Sequence, residues 1–123
     1  MFFILTQKSN ILYYGFMVTL KKNYKFYKTR EYQNWLEEET YKSRVQITDR
    51  LTKIQTEGYF GDHKPLVGDV WELKWINGRR LYYAYLAEIN LVLLLGGNKN
   101  GQSKDITKAK KIFKKYIENE NKK

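Results

Sequence analysis

Between Asp69 and Ile76 apolar and polar residues alternate. Trp71, Leu73 and Trp75 share one parity, and Glu72, Lys74 and Ile76 the other, which is the period of a strand with one face buried. Asn77-Gly78 follows, a strong short-range hairpin signal. Arg79 to Leu86 is rich in aromatic residues, as strands favour. Its period of two puts Arg80, Tyr82, Ala84 and Leu86 on one face and Leu81, Tyr83 and Tyr85 on the other. Glu88 to Asn90 can turn the chain again. Leu91 to Leu95 is apolar at every position, so it belongs inside a sheet and not at its edge. The expected unit is an antiparallel meander with a buried last strand.

Upstream, the pattern changes to a helical one. Tyr24 to Tyr27 suits a first strand. Thr29 is placed to cap a helix, with Glu31 in the first turn where the helix dipole favours it. Tyr32, Trp35 and Leu36 lie on one face of that helix. Thr40 interrupts, and Tyr41 to Glu57 resumes the period with Val45, Ile47, Leu51 and Ile54 inward and Gly58 as the C-terminal stop. Two helices with a short link predict an antiparallel helical hairpin. Tyr59 to Gly68 contains the sole proline, Pro65, and reads as a loop with room for a short strand at Leu66-Val67. Downstream, Gly96 and Gly97 are expected to break the last strand. Ser103 or Asp105 is expected to cap a final helix. Its apolar face is Ile106, Ala109, Phe113, Tyr116 and Ile117, and lysines fill the rest. The order strand, helix, helix, meander, helix predicts an α+β fold: an antiparallel sheet with an N-terminal helical hairpin on one face and a C-terminal helix. Helices segregated to one face would leave the other free, and that free face would carry Lys74, Arg80 and Tyr82.

Residues 1–20 do not fit this plan. Met1 to Thr6 and Ile11 to Phe16 are apolar runs too short to span a bilayer, and no clear signal peptide is present. The expectation is an N-terminal extension over 1–20, with Met17 as an alternative start, a single domain over 21–118 and a polar tail over 119–123.

Composition narrows the chemistry. The 123 residues contain no cysteine, which excludes disulfides, thiolate metal sites and a thiol nucleophile and fits a reducing, cytoplasmic setting. His63 is the only histidine, so neither a His-rich zinc site nor a two-histidine ribonuclease mechanism is available, and no metal or cofactor is expected. The net charge is +10, from 23 Lys and Arg against 13 Asp and Glu, and such an excess points to a polyanionic partner.

Several fragments also look familiar in sequence and order. Arg30-Glu31-Tyr32-Gln33-Asn34-Trp35-Leu36 is similar to the opening helix of the HigB-like "addiction module killer" branch of the RelE/ParE superfamily of bacterial type II toxins. Gly58-Tyr59-Phe60-Gly61-Asp62-His63-Lys64-Pro65-Leu66 is similar to that branch's Gly-x-x-Gly-Asp-x-Lys-Pro loop. Trp71-Glu72-Leu73-Lys74 stands where a Glu-Leu-Arg strand is usual, and Gly78-Arg79-Arg80-Leu81-Tyr82-Tyr83 where Gly-Tyr-Arg-Val-Tyr is usual. Leu93-Leu94-Leu95-Gly96-Gly97-Asn98-Lys99-Asn100-Gly101-Gln102, with Asp105, Ile106 and Ala109, resembles the closing Leu-Leu-x-Gly-Gly-Asp-Lys-Ser-x-Gln motif. Lys74 replaces the usual Arg, keeping the charge but losing the two-pronged fork, and Asn98 replaces the usual Asp.

The resemblance implies an mRNA endoribonuclease acting on the translating ribosome and held inactive by a cognate antitoxin. The antitoxin is expected to lay an acidic helix or strand across the basic face, and the pair to bind its operator DNA. RNA cleavage without a metal needs a base for the 2′-hydroxyl, a cation for the phosphorane and an acid for the 5′-oxygen. Arg80 is the phosphate clamp by this reading, Lys74 shares its charge or acts as base, and Tyr82 stacks on a base or relays a proton. His63 has the intrinsic pKa for acid or base work. Lys64, Lys99, Gln102 and Lys104, with Arg50 and Lys53 on the second long helix, complete the expected RNA-binding set. The rival readings are a ParE-like inhibitor of DNA gyrase with no nuclease chemistry, and a degenerate nucleic-acid-binding relative.

Overall fold

A computed structural model describes residues 23–122; the expected extension over residues 1–20, with Met17, lies outside them. The first strand, β1, spans Lys25–Lys28. Thr29 then performs two tasks. Its hydroxyl oxygen accepts from the Tyr32 amide at 3.0 Å, capping helix α1 (Arg30–Glu37), and its proton is within reach of the Leu93 and Leu94 carbonyls at 3.0 and 2.9 Å. Thr40 caps α2 (Tyr41–Glu57) by accepting from the Ser43 amide, and Gly58, at φ 68°, ends it. Ile47, Leu51 and Ile54 point into the core as expected. Val45 does not: it is 39% exposed, because a step of two positions turns it away from Ile47 by about 200° of helix rotation.

Strand β2 is His63–Pro65, upstream of the expected Leu66-Val67. It is an edge strand, so the missing Pro65 amide costs the sheet nothing. Gly68, at φ 86°, turns the chain into β3 (Val70–Lys74). The next turn has Ile76 and Asn77 at its centre, closed by the Gly78 amide on the Trp75 carbonyl at 3.1 Å. Gly78, at φ 100°, takes the left-handed position that follows. Strands β4 (Arg79–Ala87) and β5 (Asn90–Asn98) complete the meander. A short 3-10 turn (Lys99–Gly101) leads into α3 (Gln102–Asn121).

The sheet has five strands in the order β1-β5-β4-β3-β2. Every pairing is antiparallel except β1 with β5, which is parallel with Phe26 opposite Leu91. On one face Leu73, Leu81, Tyr83, Leu91 and Leu93 meet Tyr32 of α1 and Ile47, Leu51 and Ile54 of α2. On the other, Val70, Tyr82, Ala84, Val92 and Leu94 meet Ala109 and Ile112 of α3. Among the described residues the fold is therefore mixed α+β with a five-stranded sheet and three helices, but the helices are not segregated to one face. The apolar stripe of α3 covers the side expected to be free, and Tyr82 is buried completely.

Gly96 and Gly97 do not break the last strand; both lie within β5. Their role is close approach. A Cβ on Gly96 would stand 2.1 Å from Cε2 of the Trp35 indole, and one on Gly97 2.1 Å from the Asp105 carboxylate on the opposite face. Gly96→Ala is accordingly expected to destabilise the protein by about 1–3 kcal/mol, since the indole is packed and must shift. Gly97→Ala should cost less, because a carboxylate can rotate away. Paired urea titrations check both. Neither Ser103 nor Asp105 caps α3: its N-cap is Gly101, and the Asn98 side chain accepts from the Asn100 amide at 2.9 Å to order the approach. Helix α3 continues to Asn121, so most of the expected polar tail is helical.

Candidate functional site

The register of the sheet brings charged residues together on the face that α3 covers. Lys64 of β2 lies opposite Glu72 of β3, which lies opposite Tyr82 of β4. One step along, Lys74 lies opposite Arg80, and Arg80 opposite Gly97. Glu72 is fully buried. Its Oε2 accepts from the Gln102 amide nitrogen at 2.6 Å and lies 3.8 Å from Arg80 Nε, and its Oε1 is 4.0 Å from Lys64 Nζ. Burying a carboxylate is costly without such partners.

Arg80 is 9% exposed. Its Nη1 donates to the Arg79 and Trp75 carbonyls at 3.0 and 3.4 Å. With Nε turned toward Glu72, Nη2 is the donor that no described residue occupies. Lys74, half-buried, stands beside it. Lys99 reaches over the same end of the sheet, its stem 3.5 Å from where a Cβ on Gly78 would be. Lys104 is exposed in the first turn of α3.

The Tyr82 hydroxyl is buried without a hydrogen bond. Burial first, then the negative charges of Glu72 and Asp105, raise its pKa well above that of a free tyrosine, with Arg80 opposing. It therefore holds its proton at neutral pH and is an acid, not a base. The expected stacking of Tyr82 on an RNA base is not available in this arrangement, because α3 covers the ring. Burial also raises the Asp105 carboxyl pKa, against the counteracting charge of Lys108.

His63 is not brought to this cluster. It lies opposite Leu73, hence on the face of α1 and α2, where its ring stacks on Phe60 at 5.0 Å and lies 5.7 Å from Trp71. Burial, then the charge of Arg50, lowers its pKa, opposed by Asp62. It is neutral at pH 7. Arg50 is also on that side, and its guanidinium is committed to backbone. It donates to the carbonyls of Phe60 at 3.0 Å, Asp62 at 2.6 Å and Lys74, and lies 4.5 Å over the Trp75 ring. Lys53 is exposed one turn along.

Arg80, Lys74, Tyr82, Lys64 and Gln102 thus converge, with Lys99 at the rim, while Lys104 lies on the outer face of α3 with Thr107, Lys108 and Lys111, and His63, Arg50 and Lys53 occupy the opposite face of the sheet. Glu72 and Asp105 belong to the cluster although the resemblance assigned them no role. The signal for Glu72 was its parity: a carboxylate facing a covered side of a sheet needs cations beside it. Among the described residues no group of three His, Asp or Glu side chains is arranged to hold a metal ion, and no helix is long and apolar enough to cross a membrane.

No known family profile matches the chain. Over 86 residues, 67% of its length, it is 34% identical to an uncharacterized protein of Haemophilus influenzae, 85% of which the match covers.

Proposed function

We propose that this chain, which belongs to the same family as that Haemophilus influenzae protein, is the toxin of a type II toxin-antitoxin pair and cleaves mRNA without a metal, on the translating ribosome in the cytoplasm. The observation that carries the reading is the Lys74–Arg80 pair, set side by side across the β3–β4 ladder, with the buried Glu72 3.8 Å from Arg80 Nε. Two adjacent cations with one guanidinium fixed in orientation suit a phosphate whose charge grows in the transition state. The ordered resemblance to the HigB-like branch supports the choice of RNA.

In this reading Glu72 and Gln102 hold Arg80. Arg80 Nη2 and Lys74 neutralise the phosphorane. Tyr82, kept protonated, stays packed beneath α3 behind the pair, and water takes the 2′-hydroxyl proton and returns one to the 5′-oxygen. Lys64, Lys99 and Lys104 meet neighbouring phosphates. The antitoxin would cover this rim with acidic side chains, and operator DNA would be met only through the pair.

Burial favours a second reading. Tyr82 is fully covered and Arg80 nearly so, which a ParE-like inhibitor that binds gyrase without chemistry would tolerate. Induced expression of the wild-type chain separates the two. New mRNA 5′ ends inside translated messages, mapped by primer extension while plasmid supercoiling stays normal, are the expected result. Growth arrest with altered supercoiling and no new 5′ ends would transfer the assignment to gyrase.

A further inference from the structure

On the face away from Glu72, α2 and the β3–β4 hairpin enclose a cleft of about 290 Å³ lined by Gln46, Asp49, Arg50, Lys53, Tyr59 and Trp75. Its chemistry differs from that of the Glu72 cluster. Its walls are largely aromatic ring and lysine stem. Tyr59 is 62% exposed, its ring presented at the mouth of the cleft. The half-buried Trp75 ring is stiffened by Arg50 at 4.5 Å and Arg79 at 5.5 Å.

The cations of the cleft are only partly offset: Asp62 acts on Arg50 through space and Asp49 shares the lining. Arg50 bonds only to neutral carbonyls, and among the described residues neither Arg50 nor Lys53 has a carboxylate within ion-pair distance. A guanidinium whose edge is occupied by neutral carbonyls still projects a positive field into the cleft. Aromatic faces beside unpaired cations are the combination that holds unpaired nucleotides. Gln46 and Asp49 add acceptors that suit an exocyclic amino group. The volume is near the lower limit for a ligand pocket, so it has room for one base and its sugar and not for a folded segment.

We propose that this cleft is a nucleobase site, which takes one base of a single-stranded RNA against Tyr59 and Trp75 while Lys53 and Arg50 attract the flanking phosphates. The site extends the RNA path from the Glu72 cluster, around the hairpin tip at Ile76, to the opposite face of the sheet. It rests on the nuclease reading for the choice of RNA as ligand.

The test is fluorescence anisotropy of the full chain with fluorescein-labelled single-stranded octaadenylate. Tyr59→Ala is expected to weaken binding roughly tenfold, the worth of one base stack, and Tyr59→Phe to keep it. Lys53→Gln should reduce the salt slope by about 0.7, the share of one phosphate contact on a single strand. A duplex of the same length should be indifferent to Tyr59. Tyr59 is exposed, so its loss leaves the fold intact, and a thermal melt confirms this. Unchanged octaadenylate affinity in Tyr59→Ala overturns the proposal, and if the wild type still produces new 5′ ends the nuclease reading survives alone. Loss of poly-glutamate binding in that variant, with RNA binding intact, also overturns it and gives the cleft to an acidic protein. A tenfold RNA loss in a protein that makes no new 5′ ends sustains the cleft and removes the nuclease.

Discussion

Arg80→Ala is expected to lower mRNA cleavage by about 10²–10³-fold, the usual cost of removing one preorganised donor from a developing anion. The guanidinium is oriented by two carbonyls and by Glu72, so the loss should fall on turnover more than on RNA affinity. Arg80→Lys separates charge from geometry. It keeps the cation but not the fork, and should recover only a small part of the rate. Primer extension of a defined translated message, at matched amounts of folded protein, measures both variants. Cleavage by Arg80→Ala within a factor of three of wild type would remove Arg80 from the chemistry.

Glu72→Ala is expected to cost about 3–5 kcal/mol of stability, as breaking a buried ion pair from one side usually does. Arg80 would remain beneath α3 with its Nε facing no charge, and the Gln102 amide would lose its 2.6 Å acceptor. That loss is a large part of the roughly 5–15 kcal/mol that holds a domain of this size together, so the variant should be partly unfolded at growth temperature. Glu72→Gln preserves an acceptor for Gln102 and removes only the charge, and should fold. Urea denaturation of the pair gives the difference. Equal midpoints would show that the carboxylate's charge is immaterial to the fold. A folded Glu72→Gln with impaired cleavage would instead show Glu72 acting through Arg80.

The sequence predicted faces better than it predicted neighbours. The alternation through Arg80, Tyr82 and Ala84 places those side chains correctly, because a period of two is a local property. The apolar run Leu91 to Leu95 announced a strand covered twice. What covers the second face was not announced. The stripe on α3 was visible, but a stripe does not name its partner, so Tyr82 read as open when it is closed. His63 was misplaced for a related reason. It was read as part of a loop with no face assigned, and only its pairing with Leu73 in the short edge strand sets which face it takes. Arg50 was read as an RNA-binding cation on a helix, and its commitment to backbone was not legible because its carbonyl partners lie 10 to 24 residues away. Gly96 and Gly97 were read by the usual habit of glycine as a strand breaker, whereas the ring and carboxylate that need the space come from Trp35 and Asp105.

The parallel pairing of β1 with β5 sets the order in which the molecule can assemble. β1 leaves the ribosome early, yet its hydrogen-bonding partner follows at Asn90–Leu93, and the Thr29 hydroxyl bonds across 64 residues to Leu93. The β3–β4–β5 meander can close by short turns, while β1 must wait for a long loop to shut. Such a non-local contact slows folding. Helix α1 inherits the delay, because the residue that caps it is the residue that ties it to β5. Until then the β5 backbone facing β1 is an unpaired edge, open to any extended chain that reaches it first.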